Sequence, residues 1–251
     1  MSYGLEVVNK NGILQFSTET QALYSKILSG SVSVGARANL ASETKVTVNQ
    51  STAINNIISG LSGDDLIIAF RPTTNRTLYG RLESNTAGIF SFYNLSFSSA
   101  TIQYCIFVKS PEYSAPTGEY GLNVFDTDGT TLKYSSVYPP ASVETVLTVN
   151  LATASSVSYD FDTTAGLGKP WALITSGQGV TYGNQFNFEP DQSGSGIGEW
   201  QVNGLSWGTS TFTSQPIEFF DNNITQSSFY DKVGATYTSA KVVLLRGYDY
   251  T

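Results

Sequence analysis

The sequence predicts an all-β protein: two tandem duplicated antiparallel β-sandwich-like domains with at most one short helix. Three observations carry this expectation. First, residues 3–14, YGLEVVNKNGIL, return as residues 120–132, YGLNVFDTDGTTL, at one offset, since 120 − 3 and 128 − 11 both equal 117. Asn11-Gly12 and Asp128-Gly129 stand between alternating apolar residues, and a type I′ hairpin turn needs the φ > 0 that Gly, Asn and Asp tolerate. Second, only 13% of residues are charged, against the usual ~25%. Ser, Thr, Asn, Gly and Tyr take their place, a mix suited to strands and tight turns and poor in helix-forming side chains. Third, apolar runs of strand length, broken by turn residues, recur along the whole chain.

In chain order, the first hairpin is followed by period-two alternation at residues 29–34 (SGSVSV) and 45–48 (KVTV), which predicts two strands. The one helical pattern spans residues 51–61. Ser51 and Thr52 are placed to cap it, and Ile54, Ile57, Ile58 and Leu61 fall on one face. Residues 66–70, LIIAF, form a continuous apolar run expected to be a central buried strand, ended by Arg71-Pro72. Residues 90–97 (FSFYNLSF) and 102–108 (IQYCIFV) predict two more strands. Residues 110–118, SPEYSAPTG, read as a linker between domains at residues 1–115 and 119–251.

The second half repeats the first beyond its hairpin. Residues 171–174 (WALI) are expected over 66–69, residues 199–207 (EWQVNGLSW) over 89–97, and residues 217–219 (IEF) over 102–104. On this alignment Trp171 replaces Leu66, Trp200 replaces Phe90 and Trp207 replaces Phe97, so all three tryptophans are expected in the core. Two regions find no counterpart: a loop at 175–198 carrying the run SGSGIG, and a tail at 223–251 with a final strand at 240–245 (AKVVLL). Additions to one copy of a duplicated fold are places where partner contacts are built. The 175–198 loop is therefore the first region to inspect for a partner.

The chemistry is defined mainly by exclusion. The chain has no histidine, which removes imidazole triads, zinc sites and proton shuttles. The remaining acid–base candidates are Asp160 and Asp162, Glu189 and Asp191, and Glu199, which would serve a glycosidase. Asp160 and Asp162 share a strand face at i and i+2, which is compatible with a site, but a solvated face is the preferred reading. Asp126 and Asp128 resemble a calcium-loop fragment, but Gly129 follows directly and no distal Glu completes the loop. A turn explains both copies, so neither a catalytic set nor a metal or other cofactor is expected. Cys105, the single cysteine, lies in an apolar run and reads as a buried free thiol.

A net charge of −7 argues against a nucleic-acid partner. No run approaches ~20 apolar residues, so membrane insertion is not expected. The first residues carry neither a basic nor an apolar leader segment, and with no disulfide possible a reducing compartment is expected. Surface aromatics for partner or ligand binding are sought in loops, at Tyr79, Tyr182 and Phe186, with Asn184 beside them.

The repeated Tyr-Gly-Leu-x-Val opening, with the junction TIQYCIFVKSPEYSAPTGEYGL before its second copy, resembles a family of tailed-bacteriophage structural proteins. In that family a strand of IEYRVF type, a Pro-rich bridge and a YGLQVFDxxG hairpin recur in this order. The match is best over residues 102–132 and next best over 3–14. The resemblance implies a virion component of the tail, tail fibre or tip, assembled in the bacterial cytoplasm, with a non-enzymatic role in assembly or host attachment. Its partners would be other tail proteins and copies of itself, with a host receptor or glycan as a further one. A carbohydrate-binding module and a glycosidase are the alternatives.

Overall fold

The computed structural model describes residues 6–8, 14–17, 24–39, 44–83, 86–109, 123–125, 132–135, 141–150, 155–161, 168–174, 187–190, 195–225 and 239–246. The first half contains β1 (Glu6–Val8), β2 (Leu14–Ser17), β3 (Tyr24–Val34), β4 (Thr44–Asn49), α1 (Ser51–Ile57), β5 (Leu66–Pro72), β6 (Arg76–Leu82), β7 (Ile89–Asn94) and β8 (Ala100–Lys109). The second contains β9 (Asn123–Phe125), β10 (Leu132–Ser135), β11 (Val143–Asn150), β12 (Val157–Asp160), β13 (Trp171–Leu173), β14 (Asn187–Pro190), β15 (Ser195–Trp207), β16 (Thr211–Thr225) and β17 (Ser239–Leu245).

The strands make two facing antiparallel sheets. The first runs β11-β17-β13-β5-β8-β3 and the second β12-β16-β15-β6-β7-β4, with β14 added to β15. Each sheet is three strands from the first half followed by three from the second. The order is mirrored about the middle: β3, β8 and β5 answer to β11, β17 and β13, and β4, β7 and β6 to β12, β16 and β15. The duplication is therefore a pseudo-twofold arrangement. Equivalent strands meet at the centre, β5 on β13 and β6 on β15.

Register makes the correspondence residue by residue in the first sheet. A β-bulge falls at Ile27 of β3 and another at Glu144 of β11, again 117 residues apart. Ile67 pairs with Phe107, and Trp171 pairs with Leu245, which makes Ile67 equivalent to Trp171. Ala69 pairs across the junction with Leu173, its own equivalent (173 − 69 = 104), so the pseudo-axis passes there. The opening hairpins match as well. β1 pairs with β2 as β9 pairs with β10, and the second strand of each carries a bulge at the same place. The turns Asn11-Gly12 and Asp128-Gly129 themselves lie outside the described residues.

This topology revises three expectations. The segments 1–115 and 119–251 were expected as tandem domains, yet their strands hydrogen-bond to each other in both sheets. The second-half alignment slips by one strand after β13: β15 corresponds to β6 rather than β7, and residues 217–219 lie in β16, the counterpart of β7 rather than of β8. The final strand, β17, is then no addition but the counterpart of β8. The cause is β6, whose sequence RTLYGRL was not recognised as a strand. The β5–β13 match also shifts by one residue, which in a strand exchanges the two faces. Trp171 thus corresponds to Ile67 and points away from the inter-sheet core.

Side chains alternating inward from both sheets fill that core. Phe70 of β5 meets Phe92 of β7 at 5.1 Å and Trp207 of β15 at 5.5 Å, so one ring contacts both repeats. All three side chains are fully buried, each contributing about 1.5–3 kcal/mol. The Trp207 indole N–H donates to the Pro170 carbonyl at 2.8 Å, which satisfies its one polar group. A second buried cluster covers the outer face of the first sheet: Ala69, Cys105, Phe107, Trp171, Leu173 and Leu245. Cys105 is there a buried free thiol, and Arg71 lies over the Trp171 ring at 4.2 Å. Tyr24 and Ala141, another equivalent pair, pack on this cluster, and the Ala141 N–H donates to the Tyr24 carbonyl at 2.7 Å. Trp171 and Trp207 are thus both buried as expected; the side chain of Trp200 lies outside the described residues.

The helix is α1, shorter than its apolar pattern. Its N-cap is Gln50, and Asn49 rather than Ser51 supplies the end group: Asn49 Oδ1 accepts from the Ser51 N–H at 3.1 Å and hydroxyl at 2.7 Å. The chain turns extended at Ile58, leaving Ile57 on the surface while Ile54 is buried. Among the described residues no helix is long and apolar enough to cross a membrane.

Candidate functional site

A cleft of roughly 360 Å³ opens where the two repeats join in the second sheet. Asn75, Arg76, Thr77 and Ser96 line it from the first repeat, and Ser206, Trp207, Gly208, Thr211 and Thr213 from the second. Neither repeat alone contains it. It exists because Arg76, Thr77 and Leu78 of β6 pair with Trp207, Ser206 and Leu205 of β15.

Alternation sets its chemistry. Leu78, Leu205 and Phe212 point into the core, so their neighbours Thr77, Ser206 and Thr213 face outward. Cross-strand register brings the hydroxyls of Thr77, Ser206, Thr213 and Ser158 into one row over four strands. Thr77 and Ser206 share a hydrogen bond at 2.7 Å, and Ser158 and Thr213 another at 3.0 Å. At one end the Thr211 hydroxyl donates to Asp160 Oδ1 at 2.9 Å.

Two cations meet at Asn75 beside the cleft but off its hydroxyl face: Arg76, opposite the core-facing Trp207, projects to the core side of the sheet, and Lys169 is not among the lining residues. Arg76 Nη1 donates to the Asn75 carbonyl at 2.6 Å, and Lys169 Nζ donates to Asn75 Oδ1 at 2.7 Å. Arg76 Nε is anchored on the Ser99 carbonyl at 2.9 Å. Neither cation has a carboxylate partner among the described residues. Burial, then the charges of Arg76 and Arg71, hold the Lys169 ammonium below the usual lysine range. Phe97, one residue beyond Ser96, is 61% exposed, with the Arg37 guanidinium 5.9 Å from its ring centre.

A scan of protein-family models, a search of curated proteins and a search of solved structures each found no match to this chain.

The residues singled out from sequence fare unevenly. Tyr79 is not in a loop: it sits in β6, is 3% exposed, and stacks on Tyr93 at 4.3 Å. Strand pairing buries it, so it is withdrawn as a surface anchor. Tyr182, Asn184 and Phe186 lie outside the described residues. So do Asp162, Asp191, Asp126 and Asp128. Asp160 is exposed on β12, held by Thr211. Glu189 and Glu199 sit in the paired strands β14 and β15, with Glu189 opposite Ile197 and Glu199 opposite Asn187. Among the described residues no group of three or more His, Cys, Asp or Glu could hold a metal ion. The expected loop at 175–198 contributes β14 and the start of β15. β15 and β16 stay paired from Trp207 and Phe212 to Ser195 and Thr225, far past the three residues that pair with β6.

Sequence reasoning missed the cleft. Its signal was limited to the hydroxyl residues of RTLYGRL and SWGTSTFTS, and only the unforeseen pairing of β6 with β15 places those residues together.

Proposed function

We propose that this chain is a non-enzymatic structural protein of a tailed-bacteriophage particle, belonging to the tail, tail fibre or tip and acting in assembly and host attachment. One observation carries the reading. The Tyr-Gly-Leu motif that bears the family resemblance opens two hairpins of identical pairing, bulge included, and each leads into an equivalent half of a shared sandwich. The chain thus reads as a shaped scaffold built from a reused unit. Among the described residues the outer strands of the two sheets, β3, β11, β4 and β12, pair on one side only, and such edges are natural docking places for other copies or tail proteins. Val143 and Val146 of β11 are respectively 46% and 49% exposed along one of them.

The test is location. An antibody against the chain should label one fixed position on purified particles in electron micrographs, and the protein should co-purify with them through a density gradient. Particles that lack it entirely, while infected cells contain it, would remove the proposal. A receptor- or carbohydrate-binding module is the second reading, favoured by the hydroxyl-lined cleft at the junction.

A further inference from the structure

We infer that β11 is the surface through which two copies of this chain join, each laying its β11 antiparallel to the other's so that the first sheet continues across a two-fold axis. This deepens the docking part of the proposed function and rests on it for its place in a particle.

Comparison of the two repeats singles this strand out. β3 and β11 are equivalent and stand at the two ends of the first sheet. The offset of their bulges makes Val143 equivalent to Lys26 and Val146 equivalent to Ser29, since 143 − 26 and 146 − 29 both equal 117. Strand edges that must stay single are blunted by charge, lysine above all. On the face turned from the core, β3 carries Lys26, β4 carries Lys45 and β12 carries Asp160. β11 instead presents Val143 and Val146 there, each close to half exposed. Its one charged residue, Glu144, is neutralised by Arg246 at 2.7 Å. One end of the sheet lacks the protection that its equivalent has.

The two valines are continuous with buried apolar surface. Val143 pairs with Leu245 and Val146 with Val243; Leu245 belongs to the cluster around Trp171, and Val243 packs on it. An apolar strip thus runs along the outer face from Trp171 to the edge and ends in two exposed side chains.

The occupant follows from how this unit already associates. Within the chain, equivalent strands meet antiparallel about the pseudo-twofold axis, β5 on β13 and β6 on β15. β11 on a second β11 repeats that arrangement and gives both copies the same contacts. It also brings neutral strand to neutral strand between two chains of net charge −7, where charged edges would repel. Lys26 at the far end stops the sheet at two copies, whereas β3 on β11 would add copies without closing.

The experiment is sedimentation equilibrium on the full chain across the micromolar range, which should give a dimer and no larger species. Val143→Lys combined with Val146→Lys should weaken the dimer about tenfold or more, with circular dichroism unchanged, because like charges would meet across the axis. Ser31→Lys, at an exposed position on β3, should leave it intact. Val146→Cys gives a readout that needs no disruption. Val146 lies near the middle of β11, so mild oxidation should link two copies through it, while Ser31→Cys should not link and the native Cys105 is buried. A chain that stays monomeric, whether or not it binds another tail protein, overturns the inference. So does a dimer that ignores the lysines, an open-ended series of larger species, or no link through Val146→Cys. Location on particles is read separately: a monomer found there removes this inference alone, and a dimer absent from them removes only the reading beneath it.

Discussion

Glu144 and Arg246 form an ion pair at 2.7 Å where the first repeat places Ile27 and Val108. The bulges make Glu144 equivalent to Ile27. Ser25 opposite Val108, and the Arg246 N–H on the Ser142 carbonyl, make Arg246 equivalent to Val108. Ile27 and Val108 are buried, and Arg246 is only 6% exposed. One fold position is thus filled by an apolar contact in one repeat and a charged one in the other, the latter joined by the Tyr159 hydroxyl donating to Glu144 Oε1 at 2.8 Å.

Removing one partner of a buried pair strands the other charge, whereas replacing both with apolar groups is often neutral. Glu144→Ile or Arg246→Val alone should each cost about 2–4 kcal/mol, a little under the ~3–5 of a fully dry pair. The double variant, which copies the first repeat, should recover most of that loss in urea unfolding. Additive losses would show that the two repeats solve this position independently of the pair.

Tyr159 makes the same cluster sensitive to alkali. Burial, with the hydrogen bond and charge of Glu144, pushes its hydroxyl up to about 12, against a small opposing effect of Arg246. A group whose folded pKa lies above its unfolded value of ~10 contributes stability that is complete below that pH and lost as pH climbs toward the folded value. Thermal melts between pH 9 and pH 12 should therefore fall more steeply for the native chain than for Tyr159→Phe. Parallel curves would refute the assignment.

Gly30 of β3 faces Tyr104 of β8, whose ring crosses it so that the hydroxyl can accept from Gln50 Nε2 at 2.6 Å. A Cβ on Gly30 would stand 2.5 Å from that hydroxyl and 2.7 Å from Cζ. Gly30→Ala should cost about 1–3 kcal/mol by overpacking. Combined with Tyr104→Leu it should cost less than the two single losses together, because the clash goes with the ring. Strict additivity in denaturant titrations would contradict the contact.

The shared sheets predict one unfolding event. Calorimetry should give a single transition with equal calorimetric and van't Hoff enthalpies. Phe70→Ala, which empties a site touching Phe92 and Trp207, should lower stability by about 3–5 kcal/mol without splitting the transition. Two separated transitions would mean that the repeats behave as independent domains.

What the sequence by itself determined was the local structure: the β class, the short helix, the repeated hairpins, the buried thiol and the burial of Trp171 and Trp207. These follow from period, turn chemistry and hydrophobicity, which act over a few residues. What only the tertiary structure decided was the pairing. Strand RTLYGRL alternates too weakly to be recognised alone; once missed, it displaced every later correspondence and left Tyr79 in a supposed loop. The junction of β5 with β13 and β6 with β15, the buried Glu144–Arg246 pair and the junction cleft all depend on contacts across roughly a hundred residues of chain. Hydrogen bonds between strands are the same for any sequence, so which edges meet is settled by side-chain packing in the assembled core and not by local pattern.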